Sequence, residues 1–222
     1  MCLAIVLLAA PAWATADSEL NVAPGINRHY DGADYDRWVA VFERSGREVY
    51  DKRAEIVAAL KLRPGMTVAD IGAGTGLFTR LFARDVGATG RVYAVDISPE
   101  FITNILRTAR EQRLVNIEGI VNTQTDAKLP AGVLDAAFLC DTYHHFEFPR
   151  AMMSSIHRSM RSDGKLYVID FEKIPGVSSG WVMNHVRLDK ATAIREIEAA
   201  GFVFVGEERM LRENYFLKFV RR

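Results

Sequence analysis

Val68-Ala69-Asp70-Ile71-Gly72-Ala73-Gly74-Thr75-Gly76 is a short apolar run that breaks into three alternating glycines and opens onto the amphipathic stretch Leu77 to Val86. A buried strand that turns through glycines into a helix is the first unit of a doubly wound sheet, because glycine lets the backbone take positive φ and approach a ligand closely. Outward from this unit, β-branched runs alternate with helical patterns of crossover length. That alternation predicts a Rossmann-like α/β fold with a mostly parallel sheet.

The strands are expected at Thr67 to Ile71, Arg91 to Val95, Ile117 to Asn122, Ala136 to Cys140 and Lys165 to Asp170. Phe202 to Val205 and Tyr215 to Val220 close the sheet at seven, one of them antiparallel, with helices on both faces. Phe101, Ile102, Ile105 and Leu106 form one apolar helical stripe, and Met152, Met153, Ile156 and Met160 another. Asp189 to Ala200 reads as a helix stopped by Gly201.

With 222 residues, 49% hydrophobic and 25% charged, the chain suits one domain with a substantial core. Lys plus Arg and Asp plus Glu balance at 28 each, and no basic stripe interleaves with aromatics, which argues against a nucleic-acid track. The expected partner is a small molecule. Cys2 and Cys140 suggest neither a disulfide framework nor a cysteine zinc site.

Residues 1–16, an uncharged apolar run ending in Ala12-Trp13-Ala14 and Ala14-Thr15-Ala16, read as a signal-peptide core or an anchor without the usual basic start. The run is shorter than the ~20 residues of a spanning helix, so no stable membrane span is expected in the mature protein. Export to the periplasm follows from this reading, with a cytoplasmic or membrane-anchored location as its alternative. Residues 17–46 read as an N-terminal lid segment, and 47–222 as the ligand-binding domain.

The turn also states what it binds. Asp70 stands two residues before the first glycine, and the third glycine of the dinucleotide spacing is missing. An acidic residue there repels a pyrophosphate and suits the ammonium of an amino-acid tail. Asp96 ends the next strand, where its carboxylate can accept both hydroxyls of a ribose. Asp126, in Thr125-Asp126-Ala127-Lys128-Leu129-Pro130, reads either as a solvated turn or as an acceptor for an adenine amine.

Together VADIGAGTG, YAVDIS, TDAKLP, LDAAFLCDTYHHF and KLYVIDF resemble the class I S-adenosylmethionine (SAM) dependent methyltransferases, in particular the small-molecule branch that includes quinone-biosynthesis methylases. The resemblance covers about residues 47 to 221. It implies that Asp70, Gly72, Ala73, Gly74, Thr75 and Gly76 frame the methionine moiety of SAM. Asp96 and Ile97 would hold the ribose, Asp126 and Ala127 the adenine, and Cys140 and Asp141 the sulfonium side, with S-adenosylhomocysteine (SAH) as the product. Tyr50 and Arg53 precede the first strand, where an arginine can reach the SAM carboxylate.

Methyl transfer is an in-line displacement, so the protein mainly positions an acceptor and excludes water; oxygen and nitrogen acceptors also need a base. His144 and His145 follow the fourth strand at the ligand-binding end of the sheet, and Tyr143 adjoins them. These three are the candidate bases, with helix capping as the structural alternative. His29, His157 and His185 have weaker claims.

Asp141 and Asp170 end neighbouring strands, but Phe171 stands where a catechol-type metal methylase has an Asn ligand, so no metal is expected. Tyr30, Tyr35, Trp38, Phe42, Arg47 and Trp181 are the expected acceptor pocket for a thiol, phenol or amine. Two other readings stay open: a SAM-binding sensor without turnover, and a nicotinamide-dependent oxidoreductase. Oligomeric state is not legible.

Overall fold

In the computed structural model, which describes residues 19–222, seven strands form one sheet in the order β3-β2-β1-β4-β5-β7-β6. They are β1 (Thr67–Ile71), β2 (Arg91–Asp96), β3 (Ile117–Val121), β4 (Leu134–Cys140), β5 (Met160–Phe171), β6 (Phe202–Glu207) and β7 (Asn214–Arg221). Neighbours from β3 to β5 are parallel, whereas β7 runs antiparallel to both β5 and β6. The expected architecture is present, and the signal-peptide reading of residues 1–16 lies outside the described residues. No helix among the described residues is long and apolar enough to cross a membrane.

Eight helices accompany the described strands: α1 (Tyr35–Phe42), α2 (Glu48–Asp51), α3 (Arg53–Leu60), α4 (Leu77–Val86), α5 (Pro99–Glu111), α6 (Pro149–Ser159), α7 (Gly180–His185) and α8 (Lys190–Ala199). Ser98 starts α5 with Pro99 in its first turn and an Oγ that accepts from Phe101 N, the arrangement that fixes a helix origin. Phe101, Ile102 and Ile105 are buried, so that helix lays its stripe on the sheet. The expected α6 stripe needs one correction: Met160 belongs to β5, because its extended backbone (φ −75°, ψ 146°) ends the helix at Ser159.

Two apolar layers sandwich the sheet. Phe78, Phe82, Phe138 and Phe216 pack with α3 and α4 on one side, and Met152, Ile156, Leu166 and Phe219 with α6 and α8 on the other. Central strands therefore bury both faces, as parallel sheets do. Their carboxyl ends converge between β1 and β4, where the chain changes direction through the sheet, and a cleft opens there.

Candidate active site

The β1 to α4 turn is shaped by sterics. Gly72 has φ +71°, and a Cβ there would sit 2.3 Å from the Thr142 side chain, so no larger residue fits. Gly72 N and Ala73 N both donate to Val95 O, which lashes the turn to β2. Gly76 serves packing rather than the ligand, since its missing Cβ admits Ile105 of α5 and the residue does not line the cleft.

Asp96 sits at the mouth of this turn with both carboxylate oxygens oriented by backbone. Oδ2 accepts from Gly74 N at 2.8 Å and Oδ1 from Ser98 N at 2.9 Å. Each oxygen keeps a second lone pair, and the residue lines the cavity. Asp70 is also buried and accepts from Thr79 Oγ1 at 2.6 Å. Burial raises the carboxyl of Asp70 to about 7 and that of Asp96 to about 6. A cationic or hydroxyl-bearing ligand would restore what these two carboxylates lose in desolvation.

The cavity measures about 600 Å³ and runs from the glycine turn to the end of β4, within the range of about 300–1,000 Å³ for small-ligand sites. Ala73, Thr75, Ile97, Cys140 and Asp141 line it. Burial holds the Cys140 thiol well above its usual range, so it is a neutral wall.

Several expected residues are elsewhere. Asp126 is half-exposed, accepts from Lys128 N at 2.7 Å in a turn and pairs with Arg158, while Ala127 is buried with its N donating to Ser155 Oγ. The chain presents Asn122, Thr123 and Gln124 to the cavity instead. Tyr50 and Arg53 engage each other, Arg53 donating to Tyr50 O and lying 4.2 Å from that ring, and neither reaches the cavity.

Above the cleft, the segment before β1 forms a lid. Trp38 packs between Tyr30 and Phe42 with tilted rings, centroids 5.0 and 4.9 Å away, and Phe42 covers Gly74. Arg47 donates to Asp141 Oδ2 at 2.6 Å, and Arg80 grips Glu43 through both carboxylate oxygens. Tyr35 is outside the cavity and donates from its hydroxyl to Thr75 O, which pins the lid to the turn. Tyr30, Trp38, Phe42, Arg47 and Trp181 all line the cavity.

At the far end lie the histidines. His144 is 1% exposed; its backbone N donates to Asp170 Oδ2, and Nδ1 lies 2.7 Å from Asp170 Oδ1. A carboxylate that accepts a hydrogen bond from Nδ1–H favours the tautomer with a lone pair on Nε2, and Nε2 has no hydrogen-bond partner among the described residues. His145 is held neutral, its imidazole driven down to about 2 by burial and by neighbouring His144. Tyr143 departs from expectation: it faces the core, is fully buried, and donates to Glu196 Oε2 at 2.9 Å. Burial pushes its phenol far up, so it neither reaches the cleft nor takes a proton.

Sequence reasoning underrated His185, at the end of α7. Its ring centre is 5.2 Å from that of His144 and 5.1 Å from that of His145, and Trp181 stacks on it at 4.7 Å. The i, i+4 spacing of Trp181 and His185 was the available signal. Glu43 and Glu147, which tie the lid and the strap 19–30 to the domain, gave none.

A model of the methyltransferase domain family matches residues 69–168. The ubiquinone/menaquinone biosynthesis C-methyltransferase UbiE of Ralstonia pickettii is 30% identical over 137 residues, 53% of this chain and 48% of that protein. Its counterpart from Hydrogenovibrio crunogenus is 32% identical over 120 residues, 51% of this chain and 45% of that protein. The chain thus spans about half the length of the curated relatives it matches. A SAM-dependent methyltransferase from Aquifex aeolicus shares the fold at TM-score 0.76 and 21% identity, covering 86% of this chain and all (100%) of that one. A geranyl diphosphate C-methyltransferase from Streptomyces coelicolor does so at TM-score 0.62 and 17% identity over 81% and 88% of the two chains.

Residues 69–168 thus match the methyltransferase domain family, and the fold is that of solved SAM-dependent methyltransferases. The curated relatives it resembles over that stretch are quinone-biosynthesis C-methyltransferases. The residues present fit SAM: an acidic glycine turn suits its amino-acid tail and a backbone-anchored carboxylate suits its ribose.

Proposed function

We propose that this protein transfers a methyl group from SAM to a small organic acceptor that carries an ionisable hydroxyl, thiol or amine. The observation that carries the reading is continuity: one cavity joins Asp96 and the glycine turn to the His144–Asp170 pair. Bound SAM supplies an electrophilic methyl group and departs as SAH.

The chain's own residues do the rest. Asp96 would receive the ribose hydroxyls and Asp70 the ammonium. Cys140 and Thr142 would shape the wall beside the sulfur. Phe42, Trp38 and Tyr30 close over the site and exclude water, which strengthens every polar contact beneath them. His144, oriented by Asp170, offers Nε2 to the acceptor's proton while His145 stays neutral beside it. An ionised phenol is nucleophilic at oxygen and at ring carbons, so this arrangement also suits the C-methylation named for the relatives.

Incubation with labelled SAM and a panel of phenols, thiols and amines tests this, with transfer to one class expected. SAH binding with no transfer to any acceptor would favour the alternative of a SAM sensor.

For residues 1–16 the reading is export, supported by the uncharged apolar run and its small-residue ending. Mass spectrometry of the native N-terminus tests it. A chain starting near residue 17 is expected, and an intact Met1 in a cytoplasmic fraction would reject it.

A further inference from the structure

Three imidazoles, two of them adjacent in sequence and the third from a separate helix, meet at one end of the cleft. His144 and His145 come from the 3-10 turn after β4, and His185 from the last turn of α7. One ring nitrogen from each lies within 4.8 Å of those of the other two. His144 Nε2 and His145 Nδ1 are buried without a hydrogen-bond partner among the described residues. Unsatisfied buried ring nitrogens are costly, and a cation shared by the clustered imidazoles would satisfy them.

The geometry points to a divalent transition cation of the zinc type, held by His144, His145 and His185. Zinc–nitrogen bonds of about 2.0–2.1 Å in tetrahedral array would put ring centres about 5.3 Å apart. The observed separations are 4.2, 5.2 and 5.1 Å. Only the His144–His145 pair must open to reach that array.

The surroundings support the ring orientations. Asp170 stands 2.7 Å from Nδ1 of His144, placed to accept a hydrogen bond from Nδ1–H in the carboxylate–histidine relation that fixes a ligand's tautomer in zinc sites. Trp181 stacks on His185, Phe171 meets the edge of His144, and Tyr30 meets His145 at 5.5 Å. These rings flank the three imidazoles, Trp181 from the solvent-exposed side. Asp141 is not available as a ligand, since Arg47 and Asn214 hold its two oxygens.

A tetrahedral ion on three histidines keeps one position for water or an anionic heteroatom. Because the three residues line the same cavity as Asp96, that position opens towards the methyl donor. This last point rests on the methyl-transfer reading; cation binding itself does not. With the cation in place, the Nε2 lone pair is committed to it, and the metal acidifies the acceptor that His144 would otherwise deprotonate.

The test uses the full chain without a histidine tag, stripped with chelator and titrated with Zn²⁺, then with Co²⁺ as a spectroscopic probe. SAH binding by calorimetry on the same samples reports folding and the cofactor site independently. About one equivalent of Zn²⁺ per chain and an intense visible Co²⁺ band of tetrahedral type are expected. His145→Ala and His185→Ala should abolish both while keeping SAH affinity, and Asp170→Asn should weaken Zn²⁺ affinity about 10–100-fold.

No retained Zn²⁺ in protein that binds SAH overturns the inference and spares the methyltransferase reading. Retained Zn²⁺ with no SAH binding does the reverse. Undiminished binding in both histidine variants, or a weak octahedral Co²⁺ spectrum of the unmutated protein, also overturns it.

Discussion

The guanidinium of Arg47 meets the carboxylate of Asp141 at 2.6 Å, and this one contact joins the lid to the end of β4 across the mouth of the cofactor cleft. Arg47 also donates to Phe42 O and lies 5.3 Å from the Phe42 ring, so the same side chain holds the aromatic that covers Gly74. Asp141 carries φ +50°, a conformation that its two side-chain partners help to hold.

Arg47→Met should therefore loosen the lid more than the domain. The pair is partly exposed, at 22% and 12%, and Asn214 still satisfies Asp141 after the change, so a loss of about 1–2 kcal/mol is expected rather than the larger cost of stranding a buried charge. The measurements are SAH affinity, expected to weaken about tenfold, and the rate of proteolysis before residue 47, expected to rise.

Asp70 and Asp96 should set the pH dependence of SAH binding. Their carboxyls lie near 7 and 6 in the free protein, and the ligand requires the ionised forms. SAH affinity should rise with pH through this window and level off above about pH 8. Calorimetric titrations at pH 5.5, 6.5 and 8 check it, and affinity flat across the three would refute it.

Stability should follow the opposite sign. A carboxyl whose folded value exceeds its unfolded one binds more protons when folded, so its burial weakens the fold as pH rises from about 4 to 7. Asp70→Asn keeps an acceptor for Thr79 Oγ1. It should stabilise the ligand-free protein at pH 8 by on the order of 2 kcal/mol while abolishing SAH binding. Thermal melts of both proteins at pH 5 and pH 8 read this, with the gain confined to the higher pH.

Tyr143→Phe separates the two neighbours on the 3-10 turn. Its hydroxyl serves Glu196 in the core, so the change should lower stability by about 1 kcal/mol and leave kcat within about twofold. His144→Ala, one residue on, should lower kcat by about 100-fold or more with SAH affinity retained.

The frame was legible because its signals are local. A β-branched run ending in glycines, Ser98-Pro99 before an apolar stripe, and Gly201 after Ala199 each declare an element within a few residues. Much of the cleft lining around the glycine turn and Asp96 followed from the strand ends alone. What failed to show was the direction of side chains in short irregular segments. Tyr143 and His144 lie on opposite sides of a three-residue turn that has no periodicity to read. Asp126 sits in a turn whose composition is the same whether its carboxylate faces ligand or solvent. His185 reaches His144 only through the path of the chain after β5, a long-range outcome that spacing does not encode.

The most direct test of the whole account is calorimetry with SAH at pH 8 on the wild-type protein and on Asp96→Ala. One site of micromolar affinity in the first, and none in a folded variant, is the predicted result. Absence of binding to the wild-type protein, or equal binding by both, would contradict the assignment of this cleft to SAM.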